Sequence, residues 1–322
     1  MRILVTGGAG FIGSCFIKYI MAKYPDYKVI NLDCLTYAGN LENLNAVKNS
    51  ENYNFIKGDV CNKEDVEKAT KNCDTIVHFA AESHVDRSIL SPGLFIKTNV
   101  QGTLNLLEAA KKEGIQRFIQ ISTDEVYGSI SSGFFKEDSM LHPSSPYSAS
   151  KASADLLVRA YNEAYGLPVI IARCSNNYGP NQYPEKLIPL FISKLLKNEK
   201  VPLYGDGKNI RSWTYVYDSC RAIDIILHKG KCGEIYNIDA NEEYTNLEIT
   251  EKLIHLLKKD RNLIEFVQDR PGHDKRYAMD SGKIRKLGWQ PETKFGKGIE
   301  STVKWYVESF TKKKNRTLNI FP

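Results

Sequence analysis

Ile3-Leu4-Val5-Thr6-Gly7-Gly8-Ala9-Gly10-Phe11-Ile12-Gly13 is the stretch whose reading decides the fold. A short apolar run ends in a glycine-rich turn, and an amphipathic pattern begins at once. Gly8, Gly10 and Gly13 satisfy GxGxxG, while Gly7, Gly10 and Gly13 satisfy GxxGxxG. Glycines in this setting permit a tight turn and let the backbone approach a pyrophosphate, whose charge meets the N-terminus of the following helix. The glycine pattern alone is weak evidence. Here a strand before it, a helix after it and an acid at the end of the second apolar run agree. That acid, Asp33, lies twenty residues past Gly13, close to the spacing of a dinucleotide site. Its carboxylate should accept hydrogen bonds from an adenosine ribose and repel a 2′-phosphate, which favours NAD over NADP. Asp59-Val60, after the third run, would flank the adenine, or serve only as a turn.

Working outward, the apolar runs recur: Val29 to Leu32, Phe55-Ile56, Thr75 to Phe79, Phe118 to Ile121 and Val169 to Ile171. They are rich in Val and Ile, as strands buried on both faces should be. Helical patterns separate them, such as residues 102–112, where Leu104, Leu107 and Ala110 share a face. From 145 to 166 the punctuation is clear: Ser145 as N-cap, Pro146 in the first turn, Gly166 as stop. After about residue 175 prolines and the Gly205-Asp206-Gly207 turn loosen the pattern. The expectation is an α/β protein: a Rossmann-like doubly wound parallel sheet with a smaller, irregular α/β substrate-binding lobe. Residues 1–174, with 209–228, should form the NAD-binding domain; 175–208 and 229–322 should form the lobe.

The bulk composition excludes several classes. In 322 residues, 42% hydrophobic and 25% charged content fit an ordinary globule. A net charge of +6 is mild, and basic residues are dispersed except at Lys312-Lys313-Lys314, read as a solvated chain end. No nucleic-acid partner is expected. No apolar run is long enough for a membrane span, and the N-terminal run breaks into glycines too soon for a signal peptide. The seven cysteines are scattered, with no CxxC, which fits reduced thiols and a cytoplasmic protein. The six histidines show no metal-ligand spacing, and His78 reads as a core histidine. No metal is expected.

In this fold ligands sit beyond the carboxyl ends of the strands. Three segments qualify: Ala80-Ala81-Glu82-Ser83-His84, Ser122 to Gly128, and the start of the helix carrying Tyr147. Tyr147 and Lys151 are four apart on that helix and share a face. A neighbouring ammonium and a nicotinamide cation should favour the phenolate, making Tyr147 a base near neutral pH. Asp124 and Glu125 are adjacent, so the chain must turn after its strand for both to reach one substrate. An ordinary dehydrogenase needs one acid/base; an extra pair of acids points to an elimination accompanying the redox step.

These residues carry a resemblance. The chain resembles the extended short-chain dehydrogenase/reductases and, within them, the dTDP-glucose 4,6-dehydratases. The matching strings are TGGAGFIGS from Thr6, LTYAGN from Leu35, AAESHVDRS from Ala80, STDEVYG from Ser122, SPYSASKASAD from Ser145, CSNNYGP from Cys174, PEKLIPL from Pro184 and DRPGHDKRYA from Asp269. The sequence departs from the family pattern where IRDW is common and this chain has Ile210-Arg211-Ser212-Trp213, and where EDH is common and it has Tyr217-Asp218-Ser219.

The resemblance implies conversion of dTDP-glucose to its 4-keto-6-deoxy product, in deoxysugar biosynthesis of the rhamnose type. Tyr147 takes the 4-hydroxyl proton while C4 gives hydride to NAD+; Glu125 takes the C5 proton; protonated Asp124 releases the 6-hydroxyl as water; the hydride returns to C6. Thr123 would bond the C4 oxygen, and Lys151 would hold the nicotinamide ribose. It also implies cofactor contacts at Phe11, Ile12, Thr36, Ala80, Ala81, Asn99 and Asn177. Substrate contacts would come from Ser83, Asn176, Lys186, Leu187, Pro202, Tyr204, Arg211, Asn246, Arg270 and His273. Arg211 suits a diphosphate, or a structural salt bridge. The helices after Asn99 and from Pro146 should form a homodimer interface. Two rivals stand beside this reading: a sugar-nucleotide 4-epimerase or decarboxylase, which shares Tyr147 and Lys151 but does not need the acid pair, and a non-catalytic NAD-binding regulator.

Overall fold

The computed structural model describes residues 1–318, with side chains to residue 311; the side chains of the Lys312–Lys314 run lie outside what is described. The strands are β1 (Arg2–Thr6), β2 (Lys28–Asp33), β3 (Tyr53–Lys57), β4 (Thr75–His78), β5 (Arg117–Thr123), β6 (Val169–Cys174), β7 (Asn176–Tyr178), β8 (Val201–Tyr204), β9 (Ile210–Tyr215), β10 (Ile235–Ile238), β11 (Glu243–Thr245) and β12 (Ile264–Val267). Seven form one parallel sheet, in the order β10-β6-β5-β4-β1-β2-β3. The order reverses beside β1, and the loops leaving β1 and β4 therefore diverge and open a crevice.

Side chains alternate along each strand, so each apolar run feeds two cores. Ile3, Val5, Ile119 and Ile170 face one side, with Phe16 and Ile223 from α1 (Phe11–Lys23) and the later helix Val216–Lys229. Leu4, Ile30, Ile76 and Phe118 face the other, with Val66 from α2 (Lys63–Thr70) and Leu107 and Val158 from two further helices. Next in the chain come α3 (Val85–Leu90), α4 (Pro92–Phe95) and α5 (Gly102–Glu113), with a π-helical stretch over Ile96–Gln101 before α5. α6 (Pro146–Tyr165) starts and stops as its punctuation predicts. Ser145 and Ser148 cap each other reciprocally, and Gly166 closes the helix at φ 66°.

The second lobe has its own core of Phe191, Leu203, Trp213, Leu253 and Phe295. It holds α7 (Leu187–Leu196), α9 (Asn246–Leu256) and α11 (Phe295–Leu318), with α8 (Val216–Lys229) and α10 (Gly282–Lys286) interleaved in chain order. Two small sheets complete it, β11-β9-β7 and β12-β8.

The expected boundaries need two corrections. Residues 229–322 were assigned to the lobe, yet Ile235–Ile238 is the outer parallel strand of the large sheet, paired with β6. Residues 209–228 were joined to the NAD-binding domain. Their helix α8 does pack on α1, but β9 pairs with β7 and β11 outside the large sheet. Strands this short carry too few residues for periodicity to show which sheet they join.

Candidate active site

The glycine turn is a cradle with no room to spare. A Cβ on Gly7, which sits at φ 69°, would come within 2.6 Å of the Ala80 nitrogen, and one on Gly13 within 2.4 Å of the Gly7 carbonyl. Such close backbone packing leaves the first turn of α1 bare: Gly10 is its N-cap, with no side chain satisfying the free N–H groups. A pyrophosphate is the kind of group these donors would hold. Asp33 lies beside them at the end of β2. It accepts from the Ala9 N–H at 2.9 Å and from the Leu35 N–H at 2.8 Å, so it braces the turn as well as facing the crevice. Burial raises its pKa, and the two N–H bonds oppose that rise.

A cavity of about 430 Å³ runs from this cradle to the ends of β5 and β6. Of the expected cofactor residues, Gly7, Gly10, Phe11, Ile12, Gly13, Asp33, Thr36, Asp59, Val60, Ala80, Ala81, Tyr147, Lys151 and Asn177 line it. Asn99 does not. Its amide is fully engaged with the Glu82 N–H, the Glu82 carbonyl and the Ser150 hydroxyl, at 2.8, 3.0 and 2.8 Å, so it fixes the Glu82 loop from behind. Glu82, from one of the segments expected to face a ligand, lines the cavity too; Gln182, Tyr183 and Glu185 are lining residues the sequence reading missed. Glu82 Oε2, Asn177 Oδ1, Gln182 Oε1 and Glu185 Oε2 are buried without a hydrogen-bond partner among the described residues. These are acceptors a hydroxyl-bearing ligand would satisfy. Glycine cradle, open helix terminus and unpaired acceptors together fit a dinucleotide.

The groups expected to react meet at the far end. β5 ends at Thr123, and a single 3₁₀ turn, Asp124–Tyr127, follows. The Thr123 hydroxyl accepts from the Glu125 N–H at 3.2 Å and donates to Asp124 at 3.0 Å. This turn resolves the strand-alternation problem, because Thr123, Asp124 and Glu125 all line the cavity. Their surroundings differ. Asp124 is buried, and burial, Glu125 and Asp239 push its pKa well above the usual carboxylate range. Glu125 is also raised, chiefly by burial, but Lys186, Arg270 and Arg211 all pull it back toward ionisation. The arrangement favours a neutral Asp124 beside a charged Glu125.

Tyr147 and Lys151 line the same space from α6. Lys151 donates to the Ile121 carbonyl at 2.7 Å, and burial lowers its pKa to about 8. Tyr147 departs from expectation: burial, then Glu125 and Asp124, raise its phenol well above the ordinary value, and the Thr123 hydroxyl alone among its main influences favours phenolate. Two nearby acids, placed there by the turn, oppose the effect expected of an ammonium. His78 is a core residue, bonded to Thr6 at 2.6 Å and Thr103 at 3.2 Å and held neutral by burial, with its pKa near 3.

Ser83, Asn176, Lys186 and Leu187 line the cavity as expected, and the Lys186 ammonium donates to the Ser83 carbonyl. Pro202, Tyr204, Arg211, Asn246, Arg270 and His273 stand outside this lining. Tyr204 and Arg270 converge on the Asp86 carboxylate at 3.2 and 3.3 Å, and the His273 ring sits edge-on to Tyr204. Pro202 lies on β8, and the Asn246 N–H donates to the Asn209 carbonyl. Arg211 forms no salt bridge among the described residues. It donates to the carbonyls of Ile210, Asp274 and Lys275 and stacks 4.2 Å over Tyr277, leaving its charge uncompensated and felt by Glu125. Ser212, one of the departures, donates to buried Asp239 behind it. Among the described residues no helix is long and apolar enough to cross a membrane, and no three metal-binding side chains gather.

The family profile described as GDP-mannose 4,6 dehydratase matches residues 4–302. The low-salt glycan biosynthesis protein Agl12 of Haloferax volcanii is 52% identical, over 95% of this chain and 99% of its own length. A dTDP-glucose 4,6-dehydratase of Streptomyces niveus is 49% identical, over 95% of this chain and 93% of its own. A crystal structure of dTDP-glucose 4,6-dehydratase from Streptomyces venezuelae, with NAD and TYD bound, superposes with a TM-score of 0.95 at 51% identity, covering 97% of this chain and 98% of that one. On these matches this chain belongs to the dTDP-glucose 4,6-dehydratase family.

Proposed function

We propose that this protein removes water from dTDP-glucose to give dTDP-4-keto-6-deoxyglucose. The observation that carries the reading is the Asp124–Glu125 pair, adjacent in one turn yet in unlike electrostatic surroundings. The glycine turn, Asp33 and the cavity lining fit NAD. When bound, NAD+ supplies an acceptor for the C4 hydride, a source for its return to C6, and a positive charge that favours Tyr147 phenolate.

The chain's own groups move the protons. Thr123 holds the C4 oxygen, and Tyr147 takes the proton of the 4-hydroxyl as that carbon becomes a ketone. The ketone acidifies the C5–H, and Glu125, whose burial-driven rise in pKa is opposed by Lys186, Arg270 and Arg211, removes it as the carboxylate. Asp124 donates its proton to the 6-oxygen, the C6–O bond breaks, and water leaves. Glu125 then returns a proton to C5. One turnover leaves Asp124 short of one proton and Tyr147 with one extra, and exchange with solvent resets both. Lys151 holds the nicotinamide ribose. Arg211 and Arg270 hold the diphosphate, with Pro202, Tyr204, Asn246 and His273 around the nucleotide. The segments 1–174 and 216–238 make the cofactor-binding part, and the rest chiefly the substrate lobe.

Turnover in deuterium oxide tests this chemistry. Proton abstraction at C5 predicts product carrying deuterium at that carbon. A 4-epimerase would leave C5 unlabelled, and a non-catalytic binder would leave the sugar unchanged. The protein acts in the cytoplasm as a homodimer on this reading; Leu94, Ile96 and Leu156 are exposed apolar side chains beside α5 and on α6 that a second copy would cover. Light scattering at the mass of one 36.5 kDa chain would refute the dimer.

A further inference from the structure

Beside the cavity, the loop after β2 touches the segment before α7. The Tyr37 phenol donates to Glu185 at 3.0 Å, although the two residues are 148 apart in sequence. Arg87, on α3, lays its guanidinium 3.7 Å over the Tyr37 ring and approaches the second Glu185 oxygen at 3.8 Å. Tyr183 meets the same ring edge-on at 5.4 Å. The next residue after Glu185, Lys186, is tied to the Ser83 carbonyl. On one side of this bridge, Thr36, Ala38 and Gly39 line the cavity; on the other, Gln182 and Glu185 do.

Chemistry favours a durable link. Burial together with Glu185 and Glu82 raises the Tyr37 pKa, so its hydroxyl remains a donor at any physiological pH. The acceptor is a carboxylate whose side chain is 11% exposed and which also faces a guanidinium. A charge-assisted bond in such a setting is stronger than a neutral one. None of the three side chains is needed for the proton transfers.

The geometry points to Tyr37, Arg87 and Glu185 as positioning residues that strap the cofactor loop to the substrate lobe and so retain NAD between turnovers. This inference rests on the proposed NAD-dependent reaction. That reaction restores its own cofactor, so release is not part of the cycle, and a strap across the exit serves it. The strap joins two segments that each contribute residues to the cavity lining.

The test is the rate at which NAD leaves the purified holoenzyme, followed by exchange against isotopically labelled NAD. Tyr37→Phe keeps the ring and removes only the bonding hydroxyl. It should speed NAD release by roughly ten- to a hundredfold, the scale of one hydrogen bond to a charged group. Glu185→Ala, which removes both contacts, should speed release further. Adding Tyr37→Phe to Glu185→Ala should change nothing more, since the bond is already gone. The melting temperature of NAD-free Tyr37→Phe should fall by no more than about 2–4 °C, so the protein stays folded where release is measured and retention is separated from unfolding. Release at the wild-type rate in both single variants would overturn the strap. Wild-type protein that binds no NAD would overturn the cofactor reading itself, a distinct result.

Discussion

Asp155→Asn should destabilise the protein while leaving the cavity lining intact. Asp155 on α6 and Arg173 on β6 form an ion pair at 2.9 Å, with side chains 0% and 2% exposed. Arg173 also donates to the Tyr127 hydroxyl at 2.8 Å, and Tyr127 donates to Asn237 on β10. The pair therefore locks the Tyr147–Lys151 helix to the sheet and to the turn bearing Asp124 and Glu125. Neutralising one partner leaves a guanidinium buried without its counter-charge, a loss of about 3–5 kcal/mol. An unfolding entropy of about 2 cal/mol/K per residue makes this a fall in melting temperature of roughly 4–7 °C. Replacing both partners with apolar residues of similar volume, Asp155→Leu with Arg173→Met, should recover most of it, because no uncompensated charge remains. Scanning calorimetry of the NAD-free single and double variants measures both quantities. A shift below about 1 °C in Asp155→Asn would show that the pair does not carry the load assigned to it.

Asp124→Asn with Glu125→Gln should bind NAD and still oxidise C4 slowly, giving NADH absorbance on mixing with dTDP-glucose, but expel no water; 6-deoxy product at the normal rate would remove both acids from the mechanism. Tyr147→Phe should block the first oxidation, and full activity would show that another group takes the 4-hydroxyl proton. In pH profiles of kcat/KM, activity should rise as Glu125 ionises and fall as Asp124 loses its proton. Because both pKa values are raised, by burial in each case, both limbs should lie above those of free carboxyls; an acid limb at about 4.3, the value of an unperturbed Glu, would contradict this.

The parts of the fold legible in the sequence are those set by local signals. The β1–glycine turn–α1 unit and the α6 caps depend on residues within a few positions of one another, and both stand where the pattern placed them. β10 was missed because four residues, Ile235–Ile238, acquire their identity only from pairing with β6. Asp124, Glu125, Tyr147 and Lys151, which line one cavity, were legible because adjacency of two acids and a four-residue Tyr–Lys spacing are visible in one dimension. The Asp86–Arg270 contact spans 184 residues and the Tyr37–Glu185 contact 148, and no local pattern encodes either. Asn99 shows a subtler limit. Thr98 beside it lines the cavity, but whether the Asn99 amide faces the cavity or the Glu82 backbone depends on packing. Tyr147 shows another: the sign of its shift depends on how closely Asp124 and Glu125 fold against it.

The central claim is an elimination coupled to a redox step that restores its own cofactor. The most direct measurement is mass spectrometry of dTDP-glucose incubated with the holoenzyme, alongside absorbance at the NADH band. The expected result is loss of one water per sugar with no net NADH at completion. Sugar of unchanged mass, or NADH accumulating in step with substrate loss, would contradict it.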